Sequence, residues 1–315
     1  MEEFKNELSR ALSPYLLQHA HQQVAWQIWD KKYFRKGSNG EKLLLISIGY
    51  STCHWCHVMA HESFDDTKVA QFMNQNFINF KIDREERPDI DQIYMSALQI
   101  LTGQGGWPLN IIALPDGQPI WGTTYMSKQN WLSALQQIQE IYKYQPQKLI
   151  DQSHLIQEGI KQLIPLKSLV SPKKPITIEP PLLMEKLYAK VDHTYGGFIG
   201  APKFMMPIQL NLWLCAGLVL QRNHYLKHFH NSLHKMALGG LFDTIEGGFS
   251  RYSVDNKWHI PHFEKMAYDN GQLLTTYSKA YLINSSRTYE KVVSKTISFI
   301  PVSYTHLTLP TKRIV

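Results

Sequence analysis

The feature that most restricts this chain is a pair of cysteines three positions apart, Cys53-His54-Trp55-Cys56, set between two different periodicities. Residues 42–48 form a short apolar run that reads as a buried strand. Gly49-Tyr50-Ser51-Thr52 breaks it, and residues 53 to about 76 read as a helix with Val58, Met59, Val69, Phe72 and Met73 on one side. A helix N-terminus carries unpaired N–H groups and a partial positive charge. A thiol placed there gives up its proton more readily. The spacing puts Cys56 one turn on, within reach of a mixed disulfide formed at Cys53. The roles therefore differ: Cys53 is the expected nucleophile and Cys56 the resolving thiol. The one other cysteine, Cys215, makes three, which is the wrong number for a disulfide scaffold.

Three other readings of the same run are open at this point. Cys53-His54-Trp55-Cys56-His57 matches the spacing of covalent haem attachment, which ordinarily requires export. His54, His57 and His61 lie close enough to the cysteines to suggest zinc, although a structural zinc site wants a second ligand pair and Cys215 alone is a poor one. The plainest alternative is two buried, inert cysteines. The strand–turn–helix placement favours exchange chemistry, with no metal and no cofactor.

The surrounding order supports a definite fold class. After the first strand and helix, residues 77–82 read as a second strand, 88–101 as a helix, and 110–114 and 119–123 as two strands joined at Pro115-Asp116-Gly117. Residues 130–164 read as one further helix. A strand–helix–strand unit needs a right-handed crossover and parallel strands, and the last two strands are antiparallel. That is the thioredoxin-like layout, an α/β fold with a mixed sheet flanked by helices. In it, a cis-proline preceding the third core strand faces the cysteine pair. Pro108, in Gly105-Gly106-Trp107-Pro108, stands at that place and is expected to shape the substrate groove, with Trp55 beside the pair. The charge run Asp83-Arg84-Glu85-Glu86-Arg87-Pro88-Asp89 reads first as a solvated loop and helix start. Its functional reading is a proton buffer at Asp83 or Glu86.

Further along, Ser171-Pro172-Lys173-Lys174-Pro175 and Pro180-Pro181 mark a linker over residues 169–181. The expected division is a thioredoxin-like domain with an N-terminal helical extension over 1–168 and an all-α domain over 182–300. Helices are expected at 182–191, 208–220, 225–238, 263–283 and 288–300, separated by loops with Tyr195-Gly196-Gly197-Phe198 and Gly247-Gly248-Phe249. Paired helices with such loops suggest an α-hairpin array. Arg251, His262, Glu264 and Asp269 could form an acid–base pocket there. Lys265 and Asp269, four apart, could also form a plain salt bridge on a helix. Residues 301–315 read as foreign, because the string from Pro301 to Thr311 resembles a translated sequencing adapter and Pro301 interrupts a helical pattern. The net charge of +7 is scattered rather than striped, so no nucleic-acid partner is expected. No apolar run is long enough to span a membrane, and no secretory h-region is evident, which leaves the cytoplasm as the expected compartment.

Several long motifs carry a family resemblance. Ser13-Pro14-Tyr15-Leu16-Leu17-Gln18-His19-Ala20, the segment from Gly49 through Met59, Asp83 through Asp89, and Gly105-Gly106-Trp107-Pro108-Leu109 resemble the spermatogenesis-associated protein 20 family, whose bacterial members are called thioredoxin domain-containing proteins. Gly200-Ala201-Pro202-Lys203-Phe204 and Pro261 through Met266 resemble its second domain. The resemblance implies a thioredoxin-like domain followed by an (α/α)6-toroid similar to sugar epimerases and six-hairpin glycosidases, here only partial. With the residue readings above, two function classes are expected. One is a thiol–disulfide oxidoreductase acting on a protein disulfide or small thiol. The other is a carbohydrate-binding or sugar-modifying protein that works through the toroid, with the thioredoxin-like part regulatory.

Overall fold

Alternation along two fully buried strands organises the first half of the molecule. The computed structural model describes residues 5–30, 32–33, 42–163 and 180–308. The chain divides into two compact units, Met1–Ser171 and Pro172–Val315. In the first, β1 (Trp26–Gln27), β2 (Leu43–Gly49), β3 (Phe77–Asp83), β4 (Leu109–Ala113) and β5 (Pro119–Thr123) form one sheet in the order β1-β3-β2-β4-β5. β1 and β2 run parallel to β3, while β4 runs antiparallel to β2 and to β5. The expected mixed sheet is present, with β1 as an addition that two residues were too short to announce.

Every residue of β2 and β3 is buried, so both faces of the sheet are covered. Successive side chains point to opposite faces. Leu44, Ile46, Ile48, Ile78, Phe80, Ile82, Leu109 and Ile111 pack on one face against Ile90, Tyr94 and Leu98 of α4 (Pro88–Thr102). Leu43, Leu45, Phe77 and Ile112 pack on the other, against a cluster that holds Trp131 and Leu135 of α5 (Lys128–Tyr144) and both cysteines. The two faces differ in chemistry. Ser47, Asn79, Lys81, Asp83 and Asn110 are all buried and all share the parity of the cysteine face.

Helix boundaries depart from the periodic reading where backbone chemistry intervenes. The segment after Cys53 is α2 (His54–Met59), then a π-helical turn Ala60–Phe64, then α3 (Thr67–Asn76). Asp66 starts α3 anew, its carboxylate accepting from the backbone N–H of Lys68 at 2.9 Å and Val69 at 3.1 Å. The single helix expected over 130–164 is two, α5 and α6 (Pro146–Leu163). Pro146 cannot continue the helical hydrogen bonding, and Gln145 before it leaves the helical region (φ −143°, ψ 50°). At the other end of the chain, Ser13 caps α1 (Pro14–Gln18), accepting from Leu16 N–H at 3.2 Å with Pro14 at the first helical position.

In the second unit, α7 (Pro180–Tyr188), α8 (Pro207–Val219), α9 (Asn223–Leu238), α10 (Ala267–Ile283) and α11 (Arg287–Thr308) enclose a separate apolar cluster around Trp213, Phe229, Phe249, Trp258 and Tyr277. Most of the expected linker lies outside the described residues, and Pro180-Pro181 opens α7 instead. The helix expected from Phe263 begins only at Ala267. Ahead of it the chain is extended, with His262 N–H donating to Tyr252 O at 2.9 Å and Arg251 N–H to Glu264 O at 2.7 Å. Two-residue strands β6 (Lys203–Phe204) and β7 (Tyr252–Ser253) pair antiparallel nearby. α11 continues through Pro301, where an interruption was expected; a proline there removes one helical N–H and leaves the rest. Residues 309–315 of the stretch read as foreign lie outside the described residues.

The two glycine-rich loops are copies of one device. Asp192 N–H donates to Gly197 O, Gly196 N–H to Asp192 O, and Asp192 Oδ1 accepts from the N–H groups of Thr194 and Tyr195. Asp243 makes the same set with Gly248, Gly247, Ile245 and Glu246. Gly196, Gly197, Gly247 and Gly248 all take positive φ, which a side chain would disfavour. Each aspartate also accepts from a lysine, Lys203 at 2.6 Å and Lys265 at 2.9 Å. The first loop follows α7 and the second follows α9, so each closes the same step of a helix pair.

Candidate active site

Cys53 sits at the N-cap of α2 with extended backbone (φ −71°, ψ 103°), and its Sγ accepts from Cys56 N–H at 3.3 Å. The two sulfurs are bonded to one another, and the Cα atoms are 5.2 Å apart. β2 delivers this turn: it is the central strand, and the chain leaves its end at Gly49. Leu109 pairs with Ile48, so Pro108 stands beside the same end of the sheet. The Trp107–Pro108 peptide is cis, as the fold reading expected.

The surface of the site is aromatic and its floor is polar. Trp55 is 44% exposed, and its ring lies 4.8 Å from that of Tyr125, whose hydroxyl donates to Glu62 at 2.6 Å. Ser51, Thr52 and His54 are also exposed. The cysteines are more enclosed than the sequence reading supposed, Cys53 at 3% exposure and Cys56 at 2%, because both join the apolar cluster of the cysteine face. Trp107 donates its indole N–H to Asp91 at 2.7 Å and lies under the Arg84 guanidinium at 4.0 Å. Burial pushes the Asp91 carboxyl above its ordinary range, the Trp107 bond and Arg84 opposing it.

Below the disulfide lie residues that the strand runs concealed. Lys81 is fully buried, and its ammonium meets Ser47 Oγ at 3.0 Å and the rings of Phe64, Trp26 and Tyr15 at 4.6, 5.0 and 5.3 Å. Desolvation lowers its pKa to about 7. Asp83 accepts from Ser13 Oγ at 2.5 Å and from Glu85 N–H at 2.9 Å. Burial, reinforced by Asp83, pushes the Tyr15 hydroxyl far up. His19 is buried, with its ring 4.9 Å from that of Tyr15, and desolvation holds its pKa well below the ordinary value. Of the two acids considered as proton buffers, Asp83 lies inside this cluster and Glu86 faces solvent. Gly49 is required here because a Cβ would strike the Tyr15 hydroxyl and lie 2.7 Å from Cys56 Sγ. The legible signal for Lys81 was a lysine inside the apolar strand Phe77-Ile78-Asn79-Phe80-Lys81-Ile82.

Two of the three histidines considered for zinc are otherwise engaged, and the third, His54, is exposed with its ring against Trp55. His57 Nε2 contacts Ser51 O at 2.8 Å, and His61 pairs with Asp65 at 3.1 Å. Cys215 is an exposed thiol of the second unit. Among the described residues, no group of three or more His, Cys, Asp or Glu is placed to hold a metal ion. None of the described helices is long and apolar enough to cross a membrane.

Arg251, His262, Glu264 and Asp269 are brought together within the second unit. Arg251 Nη1 donates to both carboxylate oxygens of Asp269, at 2.7 and 2.6 Å, and His262 Nε2 lies 3.4 Å from Glu264 Oε2. Burial raises the Asp269 pKa despite Arg251. The alternative Lys265–Asp269 helical pair is not formed: Lys265 precedes α10 and binds Asp243 and Gly247 O, each at 2.9 Å.

Residues 5–161 match the family Thioredox_DsbH, described as "Protein of unknown function, DUF255". Spermatogenesis-associated protein 20 of Homo sapiens is 35% identical over 321 residues, covering 96% of this chain and 40% of its own length. The Mus musculus protein is 36% identical over 313 residues, with the same shares. The chain belongs to the spermatogenesis-associated protein 20 family. It spans about two-fifths of the length of these curated family members. Among solved structures, "DsbH Oxidoreductase" is similar at TM-score 0.29 and 12% identity, over 38% of this chain and 85% of that one. A thioredoxin-fold protein from Helicobacter pylori is similar at TM-score 0.28 and 15% identity, over 42% and 99%.

Proposed function

We propose that this protein is a thiol–disulfide oxidoreductase that exchanges its Cys53–Cys56 pair with a protein disulfide or a small thiol. One observation carries the reading: the two sulfurs are bonded at a helix start, at the end of the central strand, with Pro108 alongside. In the reducing direction, the Cys53 thiolate attacks one sulfur of the substrate disulfide and expels the other substrate sulfur with the bonding electron pair. The Cys56 thiolate then attacks Cys53 Sγ and expels the second substrate sulfur. Two electrons pass from the dithiol to the substrate, and two protons end on the released thiols. The Trp55–Tyr125 pair supplies an exposed apolar surface beside Cys53 for a substrate chain. A sparse cysteine content suits work in a thiol-rich compartment such as the cytoplasm.

The test is turnover of insulin disulfides with dithiothreitol or glutathione as the reductant. Cys53→Ser is expected to abolish it, and Cys56→Ser to stop it at a trapped mixed disulfide. Equal turnover by the Cys53→Ser variant and the parent refutes the proposal.

A further inference from the structure

Tyr15 is wholly buried, yet its hydroxyl has no hydrogen-bond partner among the described residues. Burying a hydroxyl without a partner is unfavourable. The reason for tolerating one lies in what it faces. A side chain built on Gly49 would meet the Tyr15 hydroxyl and Cys56 Sγ at the same point, so the two groups are neighbours over the bare Gly49 Cα. In the disulfide, that sulfur is a weak acceptor. In the dithiol, it is a thiol or a thiolate, and a thiolate is a charged acceptor. We propose that the Tyr15 hydroxyl donates a hydrogen bond to the Cys56 sulfur when the pair is reduced, stabilising the thiolate that completes exchange.

The segment carrying Tyr15 is held for this purpose. Ser13 caps the helix with its oxygen and donates its own proton to Asp83, which ties α1 to the end of β3. The ring is fixed between His19 and the Lys81 ammonium. Asp83, His19 and Lys81 bear on the ring, and the charges of Lys81, His57 and His61 bear in turn on His19. Asp83 and burial both keep the Tyr15 proton in place, so the group remains a donor across the pH range of exchange. Tyr15 neither gives up nor gains a proton. The proton lost by Cys56 ends on the departing substrate thiol.

The inference rests on the oxidoreductase reading, and its test separates the two. The full chain and its Tyr15→Phe variant are equilibrated with glutathione buffers, and the dithiol and disulfide forms are quantified. Phenylalanine keeps the ring and removes only the hydroxyl. The expected result is a shift of about tenfold toward the disulfide, equivalent to about 30 mV for this two-electron couple. In a second measurement, Cys53→Ser chains with and without Tyr15→Phe are titrated by thiolate absorbance. Loss of the hydroxyl is expected to raise the Cys56 pKa by about one unit. An unchanged equilibrium together with an unchanged Cys56 pKa overturns the role of Tyr15 while leaving exchange intact. A parent protein that does not equilibrate with glutathione overturns the oxidoreductase reading, and the Cys56 titration then decides the Tyr15 contact alone.

Discussion

Replacing Lys81 with methionine should stabilise the oxidised protein near neutral pH and flatten its pH dependence. Lys81 is buried among three rings with one hydroxyl partner, and its pKa falls from 10.5 to about 7 in the fold. The sign follows from which state binds the proton. Below about pH 7 both states are protonated, and the full penalty of burying an ammonium is present. Between about 7 and 10.5 the unfolded chain keeps a proton that the folded chain has released, so stability rises with pH. At about 1.4 kcal/mol per pH unit, that window is worth about 5 kcal/mol. The rings at 4.6 to 5.3 Å favour the ammonium by about 0.5–1 kcal/mol each, which trims the climb to about 2–4 kcal/mol. Methionine matches the stem but leaves Ser47 without this donor, a loss of about 1 kcal/mol. The Lys81→Met variant should therefore gain about 1–3 kcal/mol at about pH 6.5, and that advantage should vanish by about pH 10. Urea unfolding of the oxidised parent and variant across this range measures the difference directly. Parallel pH profiles for the two proteins would show that Lys81 keeps its proton and that the argument from desolvation is wrong.

Ser13→Ala should cost about 2–4 kcal/mol, because it removes both a helix cap and a bond to the buried Asp83 carboxylate; thermal unfolding checks this. Gly49→Ala should cost about 1–3 kcal/mol by overpacking against the Tyr15 hydroxyl and Cys56 Sγ, and it should slow reduction of the disulfide, read by alkylation after a dithiothreitol pulse. In the second unit, Asp192→Ala should cost about 3–5 kcal/mol, because Lys203 at 1% side-chain exposure loses its counter-ion and keeps Asn256 O as its hydrogen-bond acceptor. The matching Asp243→Ala should cost about 1 kcal/mol from that ion pair, since Lys265 and Asp243 remain 20% and 30% exposed; chemical unfolding of the two variants compares them.

The fold was legible where hydrophobic pattern and turn chemistry agreed. The run after Lys42 and the cysteines beyond it placed β2 and α2, and the Ser13-Pro14 pair placed α1. The reading failed where one residue redirects a continuous pattern. Pro146 splits a periodic stretch into α5 and α6, and Asp66 restarts a helix after a π-helical turn. It failed again in the second unit, where residues before Ala267 keep apolar spacing but spend their N–H groups on a strand-like pairing. Of the site, Cys53, Cys56 and Pro108 announce themselves by motif. Tyr15, Ser47 and Lys81 do not, because their meaning depends on strand parity and on a helix brought in from distant sequence.

That parity bears on why the polar residues lie where they do. Five buried polar side chains on one face of a sheet are expensive, and the opposite face shows that an apolar alternative packs well. An inert pair of cysteines would need no such arrangement. A pair that cycles between a neutral disulfide and a thiolate needs neighbours that respond to charge, and water is kept from the buried sulfurs by the apolar cluster. Tyr15, held from one side by Ser13 and Asp83, supplies a fixed dipole. Lys81, poised near neutrality by its burial, supplies a charge that can appear or disappear with pH. On the proposed exchange reading, the cost borne by this face of the sheet serves the cysteine pair, and the Lys81→Met and Tyr15→Phe variants separate its two components.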